Sequence, residues 1–500
     1  MQIVFCNKYF FLNGGVEKYL YDVMNYLSLR GHTTIPFSVR YAGTWPSPYQ
    51  DYFLAPPGNP EQALWSNIRF SPANILRFLD RSTYSFEARI KLSRLLKAVH
   101  GADIAYILNI YNYMSPSIIH TLRHHRIPVV MQIGDYNLLC PSYSLLRDGK
   151  PCTLCVRGQY YHGLQYRCVK NNLAASAVRV AAMYIQRLLG LYELVDAFVV
   201  PCEFMKNKLL EGGVSEHKML VMYYPVERRW GMRKRQGERA REGRREGEVR
   251  STERNPVPQH SIERTVAVER RWWTRRNQGD RTGEGRRAGE IRGPERIHVL
   301  QYPIERTVAP DRAWHKKEYI LYFGRLSYEK GIDTLIDAFQ KLNPPIDLYI
   351  IGRSYDGEEE RLKRLIKPHA QSRIHFLGFQ SGQTLMRWIA EALISVVPSR
   401  WYDNAPISTY ESFMNGTPVL ASRIGGIPEQ VQEGVTGRLF EPDSCDDLAQ
   451  KMGEMLANRN QLLQMGIAGQ DFVKKKLLIK DQMDSLMNLF ENVIATYARR

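Results

Sequence analysis

Short apolar runs alternate with stretches of helical period in two separate halves of this sequence, and this pattern limits the possible folds more than any other feature. In the first half, the apolar run Gln2–Cys6 precedes a helical period over Val16–Leu29. In the second half, Tyr319–Phe323 precedes a similar period over Ile332–Leu342. Alternation of this kind is typical of parallel, doubly wound sheets. The sequence therefore predicts an α/β protein with two Rossmann-like domains.

The remaining predicted elements repeat this order in both halves. Further strands of the first half are predicted over Thr33–Ser38, Asp103–Leu108, Pro128–Ile133, Ala197–Pro201 and Met219–Tyr223, with helices over Ala88–Val99 and Ala174–Leu191. In the second half, the strands are Asp347–Ile351, Ile374–Leu377, Ile394–Pro398 and Pro418–Ser422, and the helices are Glu358–Ile366, Gln383–Ala392, Ile407–Met414 and Asp446–Leu456. We place an N-terminal domain at 1–226, a C-terminal domain at 311–480 and a helix at 481–500 that can pack back on the first domain. Ligands of such sheets bind at the carboxyl ends of the strands, so the cleft between the domains is the expected site.

An internal repeat separates the two halves. Residues 227–310 are two copies of a 42-residue unit, and 25 of the 42 positions are identical. The segment holds 22 Arg and Lys against 13 Asp and Glu, which is half of the net charge of +18. The unit has no periodic apolar face that could stack as a solenoid. We interpret it as a low-complexity, largely disordered insertion in the interdomain linker, and RNA or lipid binding by its Arg and Trp residues as the alternative.

Composition excludes several classes of protein. A hydrophobic fraction of 44% is ordinary for a globular chain and excludes a wholly disordered or collagen-like one. No apolar run reaches the length of about 18 residues that predicts a transmembrane helix, and the first residues resemble a strand rather than a signal peptide. We therefore expect a cytoplasmic protein with reduced cysteines, and the inner face of the membrane is a second location to consider.

Two glycine pairs follow predicted strands and are candidate ligand-binding loops. Gly14-Gly15 stands between the first strand and the first helix, and Gly425-Gly426 follows the strand ending at Ser422. Glycine lets a ligand approach the backbone closely, and a helix N-terminus offers free N–H groups to an anion. The alternative interpretation is that each pair only forms a tight turn.

Charged residues at the ends of two further strands suggest binding of a diphosphate and of vicinal hydroxyls. The loop FGRLSYEKG places Arg325 and Lys330 before a helix N-terminus, where two cations can neutralise a leaving diphosphate. Asp403 lies in a loop after a strand, and Glu411 lies one turn into the next helix. A carboxylate there can accept two hydrogen bonds from vicinal hydroxyls. The alternative interpretations are that Arg325 and Lys330 belong to an ordinary basic surface loop, and that Asp403 only caps a helix while Glu411 is solvated.

These motifs, in this order, carry a family resemblance. FGRLSYEKG, the spacing from Asp403 to Glu411, NGTPVLAS and GGIPE resemble the C-terminal domain of family 4 glycosyltransferases, which have the GT-B fold. NGGVEKYL resembles the N-terminal glycine loop of that family, and PCEFMKNKLLEGG resembles its PSxFxxxxLxxxG segment. The resemblance covers nearly the whole chain outside 227–310.

The resemblance implies a retaining, metal-independent hexosyltransferase that uses a nucleotide-sugar donor. Arg325 and Lys330 would bind the donor diphosphate, Glu411 the ribose hydroxyls and Asp403 the donor sugar. The remaining donor-binding positions implied are Gly14, Gly15, Gly378, Phe379, Gly425 and Gly426. The acceptor would be a saccharide or a lipid-linked molecule, in the synthesis of a cell-surface polysaccharide or glycolipid.

The sequence departs from the family pattern at two places. Where relatives have His-Asp-Tyr before Cys-Pro, this chain has Gly134-Asp135-Tyr136, so no catalytic His is assigned. Asp135 is a candidate for orienting the sugar or the acceptor. Asp403 stands where the family usually has Glu, which withdraws the carboxylate by one methylene and can alter the choice of sugar.

Four cysteines form a second kind of candidate site. Cys140, Cys152, Cys155 and Cys168 follow the pattern C-x11-C-x2-C-x12-C in a loop at 140–168 that has little apolar material of its own. Such a set can hold a structural zinc ion, and four thiolate ligands would leave no open position for catalysis. The alternative is four reduced thiols, some of them buried.

Two other functions remain open at this point. One is a nucleic-acid-binding protein that acts through the Arg-rich repeat, although the many Glu residues disfavour phosphate binding. The other keeps the GT-B fold in a sugar phosphorylase or epimerase. Separately, basic and apolar residues mix over 69–97, as in an interfacial helix that contacts an anionic membrane or in a plain amphipathic surface helix.

Overall fold

The computed structural model describes residues 1–56, 79–225, 316–354 and 357–499. The repeat insertion predicted at 227–310 lies outside these residues, as does the first part of the predicted interfacial stretch at 69–97. Within the described residues, no helix is both long enough and apolar enough to cross a membrane.

The N-terminal half forms a parallel sheet. Its strands and the hairpin β5–β6 are β1 (Gln2–Cys6), β2 (Thr33–Phe37), β3 (Ile104–Ile107), β4 (Val129–Gln132), β5 (Leu146–Arg147), β6 (Lys150–Pro151), β7 (Ala197–Val200) and β8 (Met219–Val221). The six-stranded sheet has the order β2-β1-β3-β4-β7-β8, with all its pairs parallel. The helices are α1 (Gly15–Leu29), α2 (Phe86–Ala98), α3 (Ser117–His124), α4 (Tyr161–Gln165), α5 (Leu173–Leu188) and α6 (Glu203–Glu211).

The C-terminal half repeats this architecture. Its strands are β9 (Tyr319–Phe323), β10 (Asp347–Ile351), β11 (Ile374–Phe376), β12 (Ile394–Val397), β13 (Val419–Ser422) and β14 (Gly437–Phe440), in the sheet order β11-β10-β9-β12-β13-β14. Its helices are α7 (Ile332–Leu342), α8 (Glu358–Lys363), α9 (Gly382–Glu391), α10 (Ile407–Met414), α11 (Ile427–Gln430), α12 (Cys445–Ala457), α13 (Arg459–Lys476) and α14 (Ile479–Ala498). In each sheet the order of the strands reverses at the first strand, β1 or β9, because later strands are added on both of its sides. At this point a crevice opens between the carboxyl ends of the strands.

The structure confirms the prediction of two parallel α/β sheets, and the differences concern individual elements. Strand β14 was not predicted, because Gly437–Phe440 contains a Gly and an Arg and pairs only at the edge of the sheet. Helices α3, α6 and α13 were also not predicted. In α3, an eight-residue helix, the apolar face is too short to establish a period.

One hydrophobic cluster connects the two halves. It includes Phe5 and Tyr106 of the first sheet, Tyr410 of α10 and Phe490 of α14. The rings of Tyr106 and Phe490 lie 5.5 Å apart, edge to face. Arg30 also forms an ion pair with Asp484 of α14 at 2.8 Å. The C-terminal helix therefore packs on the first half of the chain and contributes to its core.

Candidate active site

Strand β9 ends in a charged loop that holds both predicted cations. Tyr328–Lys330 forms a single 3-10 turn before α7. The Arg325 guanidinium contacts the Glu329 carboxylate at 2.6 Å, and Lys330 Nζ contacts Asp403 Oδ2 at 2.5 Å. Burial acts to lower the pKa of Arg325, but Glu329, Tyr143, Tyr322 and Asp403 together outweigh it. The pKa lies above its ordinary value, so the guanidinium stays charged. The loop thus presents two cations beside the carboxyl end of the central strand.

Asp403 is brought to Lys330 by the loop between β12 and α10. Its carboxylate is 6% exposed, and it also accepts a hydrogen bond from Ser399 Oγ at 2.8 Å. The neighbouring Asn404 Nδ2 donates to the Gly134 carbonyl at 3.0 Å, which ties this loop to the N-terminal half. The carboxylate is therefore fixed at the cleft by two donors of its own half, while the next residue bonds across the cleft.

Close backbone packing explains the glycines around this loop. Gly331 has φ of 63°, and a Cβ there would lie 2.1 Å from the Pro398 carbonyl oxygen. A Cβ on Gly425 or Gly426 would lie 2.3 Å and 1.8 Å from the carbonyl oxygens of Asp403 and Asn404. Helix α11, which follows the Gly425-Gly426 pair, is only four residues long. The pair is thus required for packing against the Asp403 loop, and its predicted contact with an anion stays a prediction.

Glu411 has different partners from Asp403. It lies on α10, and its carboxylate is 4.0 Å from Lys18 Nζ of α1 in the other half. Burial raises the pKa of Glu411, with Lys18 acting to lower it and Asp22 to raise it. The carboxylate therefore stands at the junction of α1 and α10 and becomes protonated at a higher pH than an ordinary Glu.

The predicted Gly14-Gly15 loop lies against the C-terminal half. Gly15 begins α1, and a Cβ on it would lie 2.7 Å from Ile407 Cδ1 at the start of α10. The structure thus brings this loop next to the helix that carries Glu411.

A lysine and a glutamate that the sequence analysis did not identify lie just before and after this loop. Asn7 Nδ2 donates to the buried Glu17 carboxylate at 3.2 Å. Lys8 Nζ lies over the rings of Tyr9 and Tyr113, at 5.0 and 5.3 Å from their centroids. Burial lowers the pKa of Lys8, while Glu17 and Asp135 act to raise it. Burial likewise raises the pKa of Glu17, which Lys8 opposes, so the two groups stabilise each other's charged forms.

Asp135 lies at the carboxyl end of β4, facing the same group of charges. Its Oδ1 accepts hydrogen bonds from the Asn137 backbone N–H at 3.0 Å and from Asn137 Nδ2 at 2.8 Å. Asn137 is held in turn by Arg179 of α5, which donates to its carbonyl at 2.8 Å. Burial raises the pKa of Asp135, and the Asn137 donors and Lys8 oppose this rise. Asp135, Gly134 and Tyr111 line a small cavity of about 50 Å³.

The Gly378-Phe379 loop follows β11 at the same edge of the second sheet. Gly378 has φ of 65°, and its carbonyl accepts the Gly352 N–H at 2.9 Å. The Phe379 ring is 56% exposed, and the Arg353 guanidinium lies 4.9 Å from its centroid. An exposed ring beside a guanidinium is a suitable surface for a planar aromatic base.

Two contacts across the cleft were not anticipated from the sequence. Tyr143 of the cysteine-rich loop hydrogen-bonds to Arg325. The Glu429 carboxylate of α11 accepts the backbone N–H groups of Glu203 and Phe204, at 2.8 and 2.7 Å, and so caps the N-terminus of α6 in the other half. The signal for the second contact was present in GGIPE, but nothing in the sequence indicates which helix its Glu caps.

The four predicted zinc ligands line one cavity of about 10 Å³. Cys140, Cys152, Cys155 and Cys168 surround it together with His162. Backbone N–H groups of Ser142 and Leu145 donate to Cys140 Sγ, and that of Gly163 donates to Cys155 Sγ. Among the described residues, no group of three or more His, Cys, Asp or Glu is arranged to hold a metal ion. The structure brings the four thiols to one place, and zinc stays a prediction.

Two family models match this chain. The model for glycosyl transferases group 1 matches residues 305–472, and that for Glycosyltransferase Family 4 matches residues 13–229. Among curated relatives, an uncharacterised glycosyltransferase of Methanocaldococcus jannaschii is 29% identical over 155 residues, 31% of this chain and 43% of the relative. A sulfoquinovosyl transferase of Arabidopsis thaliana is 30% identical, over 32% of this chain and 31% of the relative. The chain thus spans less than half the length of these relatives.

Solved structures match over nearly the full length. The Anabaena protein HepE in complex with UDP superposes with a TM-score of 0.56 at 13% identity, covering 98% of this chain and all of HepE. Sucrose-phosphate synthase from Thermosynechococcus elongatus gives a TM-score of 0.59 at 15% identity, covering 99% of each chain. These likenesses establish the fold. Together with the two family models, they show that this chain is a glycosyltransferase of family 4 with the GT-B fold.

Proposed function

We propose that this chain is a retaining hexosyltransferase that moves a sugar from a nucleotide-sugar donor to a saccharide or lipid-linked acceptor. The observation that carries the proposal is the convergence of Arg325, Lys330 and Asp403 at the carboxyl end of β9, facing Lys8 and Asp135 of the other half. The two cations Arg325 and Lys330 suit the diphosphate of such a donor, and the carboxylate of Asp403 beside them suits the sugar that is joined to it. The nucleic-acid alternative depends on 227–310, outside the described residues.

The donor would lie along the second sheet. Arg325 and Lys330 would bind its diphosphate, and Phe379 with Arg353 would stack on its base. Asp403 would accept hydrogen bonds from the sugar, while Glu411 would accept those of the ribose. Solved structures with this fold include HepE in complex with UDP and with UDP-glucose, which makes a uridine nucleotide the first donor to test.

Transfer would proceed with retention and without a metal. The bond between the sugar C1 and the diphosphate oxygen breaks, and the acceptor oxygen bonds to C1 on the same face. The proton of the acceptor hydroxyl passes to the departing diphosphate, so no catalytic His is needed. Arg325 and Lys330 stabilise the negative charge that develops on the diphosphate, which is worth several kcal/mol in such sites, about 3 kcal/mol per donor group.

The acceptor would enter from the N-terminal half. Asp135 and Lys8 lie where an acceptor hydroxyl would reach the sugar. We propose a lipid-linked acceptor used at the cytoplasmic face of a membrane in the synthesis of a cell-surface polysaccharide or glycolipid, because the chain carries a net charge of +18.

A donor screen tests the proposed function. UDP-, GDP-, ADP- and dTDP-sugars are each incubated with purified protein, in buffer without divalent cations, and nucleotide release is measured. We expect release from one nucleotide class, abolished in an R325A/K330A double variant. The control is K474A, which removes an exposed lysine paired with Asp471 on α13.

The outcome separates binding from turnover. Nucleotide binding without release points to a missing acceptor, which a glycolipid extract then supplies, and NMR of the product gives the anomeric configuration. Absence of nucleotide binding in both the wild-type chain and K474A contradicts the donor site. A strict requirement for a divalent cation contradicts the metal-independent step.

We also propose that Cys140, Cys152, Cys155 and Cys168 bind a structural zinc ion. Burial raises the pKa of the Cys155 thiol to about 12 and that of Cys168 to about 11, so these two thiols are protonated without a metal, which would have to displace their protons. The backbone N–H groups of other residues that donate to Cys140 Sγ and Cys155 Sγ would stabilise the thiolate forms of these two side chains. We expect about one zinc per chain by elemental analysis, lost in C152S/C155S and kept in C445S, and a metal-free wild-type chain contradicts this.

A further inference from the structure

The region behind the cysteine cluster has a surface that the proposed reaction does not use. Residues 149–192 contain six Arg and Lys and no Asp or Glu. Five of these basic side chains are exposed, and none of the five forms an ion pair with another described residue. The sixth, Arg179, is buried and bonded to Asn137. The stretch is therefore basic over its whole length, and the flanking acids Asp148 and Glu193 stand at its two ends.

Exposed apolar side chains are concentrated in the same segment. Helix α5 buries one face through Val180, Met183 and Gln186, but its opposite face is also apolar. Leu188 on that face is 88% exposed. Nine of the 18 exposed large hydrophobic residues of the described chain lie here, and we call them the α5 patch: Leu154, Tyr161, Leu164, Tyr166, Leu173, Tyr184, Ile185, Leu188 and Leu189. A cluster of this kind on a water-soluble surface indicates an interaction site.

Direct contacts hold the α5 patch together as one surface. Cys155, Tyr160, Val180 and Met183 form a small shared core beneath it. The Tyr184 hydroxyl accepts the backbone N–H of Tyr161 at 3.1 Å, which fixes α4 against α5. The patch is therefore a built feature of the cysteine-rich loop and α5 rather than a set of unrelated side chains.

We propose that the α5 patch with its exposed cations docks on an anionic lipid membrane. Apolar and tyrosine side chains surrounded by Arg and Lys match the interfacial zone of a bilayer, where the rings lie at the headgroups and the cations contact lipid phosphates. A second copy of this chain is a poorer occupant, because a symmetric contact would bring two predominantly basic surfaces together.

The patch is mechanically connected to the cleft. Arg179 of α5 bonds to Asn137, which bonds to Asp135, and the Tyr160 hydroxyl donates to the Leu138 carbonyl at 3.2 Å. On the other side of the same loop, Tyr143 reaches Arg325. Docking would thus place the acceptor side of the cleft beside the bilayer. This inference rests on the proposed function, because a lipid-linked acceptor would require the chain to work at a membrane surface.

The structure describes residues 79–97 of the stretch at 69–97 for which the sequence suggested a membrane contact. In the described part of that stretch, Arg81 is fully buried and contacts Glu87 at 2.9 Å, and Lys91 Nζ donates to the Phe53 carbonyl at 2.5 Å. These two cations therefore serve internal contacts, whereas Arg94 and Lys97 of α2 are exposed. The five exposed cations of 149–192 form no ion pair with another described residue.

Vesicle co-sedimentation of the full chain tests the proposal. Vesicles of phosphatidylcholine alone are compared with vesicles containing 30 mol% phosphatidylglycerol, about a third of the lipid. We expect binding to the anionic vesicles, weakened by salt, and an at least tenfold loss in I185E/L188E and in R167E/K170E. The matched control L29E alters Leu29 of α1, which is 79% exposed outside the patch, and should bind like the wild type.

Each result decides the proposal separately from the catalytic one. Equal vesicle binding by I185E/L188E and L29E overturns it, as does binding to neutral vesicles alone. A wild-type dimer by light scattering that I185E/L188E converts to monomer, with no vesicle binding, also overturns it in favour of a second copy. Donor hydrolysis in solution should be unchanged in I185E/L188E, whose side chains lie outside the cleft, so failure of the donor screen and failure of docking are distinguishable.

Discussion

The two sides of the cleft share one architecture but balance their charges differently. On the C-terminal side, each cation of the β9 loop contacts a carboxylate of its own half, Arg325 with Glu329 and Lys330 with Asp403. On the N-terminal side, Glu17 is buried and Lys8 and Asp135 are half-buried, and burial shifts the pKa values of all three. The comparison teaches that ion pairs fix the side proposed to bind the donor, whereas the side proposed to bind the acceptor depends on a few desolvated groups.

The largest expected effect comes from breaking the donor-side pair. K330A and D403N should each reduce kcat/KM for sugar transfer by about 100-fold, because a fixed charge at the leaving group or the sugar is lost. The matched control is K341A, which breaks the Lys341–Asp446 pair, where the side chains are 57% and 80% exposed. Steady-state kinetics checks this. Equal losses in K330A and K341A would show that the pair near Asp403 serves folding alone.

Backbone packing beneath the donor loop gives the next effect. G331A should lower the free energy of unfolding by about 3 kcal/mol, because its Cβ would meet the Pro398 carbonyl and its φ is positive. G382A has a similar φ of 57° but open space around its Cβ, so it should cost only about 1 kcal/mol. Urea unfolding of both variants measures the difference. Similar values would mean that the loop yields to the added methyl group.

On the acceptor side we expect a smaller and more selective change. D135N keeps an oxygen for the Asn137 donors but removes the charge facing Lys8, so it should raise KM for the acceptor about tenfold while donor hydrolysis is unchanged. Kinetics with each substrate varied in turn separates the two quantities. A fall in donor hydrolysis equal to that of K330A would remove the division between the two sides.

The smallest expected effect is a dependence of donor affinity on pH, which we attribute to Glu411 at the junction of the two halves. Burial raises the pKa of this carboxyl, so it protonates at a higher pH than an ordinary Glu as the solution is acidified. A protonated Glu411 accepts fewer hydrogen bonds from the ribose hydroxyls. The affinity for the nucleotide-sugar donor should therefore fall about threefold between pH 8 and pH 5.5. Calorimetric titration at several pH values checks this. E411Q should bind more weakly at pH 8 and show no such slope, and an unchanged slope would exclude Glu411 as its source.

Much of the fold could be predicted because its strands are buried on both faces. Continuous apolar runs such as Tyr319–Phe323 and Ile394–Val397 signal parallel strands without any help from neighbours. Helices α7 and α10 begin and end where the hydrophobic period predicts. The edge strand β14 and the short helix α3 were not predicted, because neither is long enough or apolar enough to be distinguished from a loop.

The candidate site could be predicted only on its donor side. Arg325, Lys330 and Asp403 lie in motifs with a recognisable order, and the structure brings them together. Lys8 belongs to no motif, and Glu17 lies within NGGVEKYL without any sign of its role. Both become important only because the fold places them beside Asp135. Likewise, nothing in GGIPE indicates that Glu429 caps α6, more than 200 residues away in sequence.

The sequence by itself determined the two sheets, the loop of Arg325 and Lys330 and the four clustered cysteines, because apolar period, glycine spacing and motif order are local properties of a chain. The tertiary structure decided which charges meet across the cleft, which thiols share a cavity and which helix face is left uncovered. Partnering and burial depend on residues distant in sequence, so a cation at 81 became internal while those at 157, 167 and 170 stayed on the surface. That distinction does not show in composition, and it is the basis for proposing a membrane contact at α5.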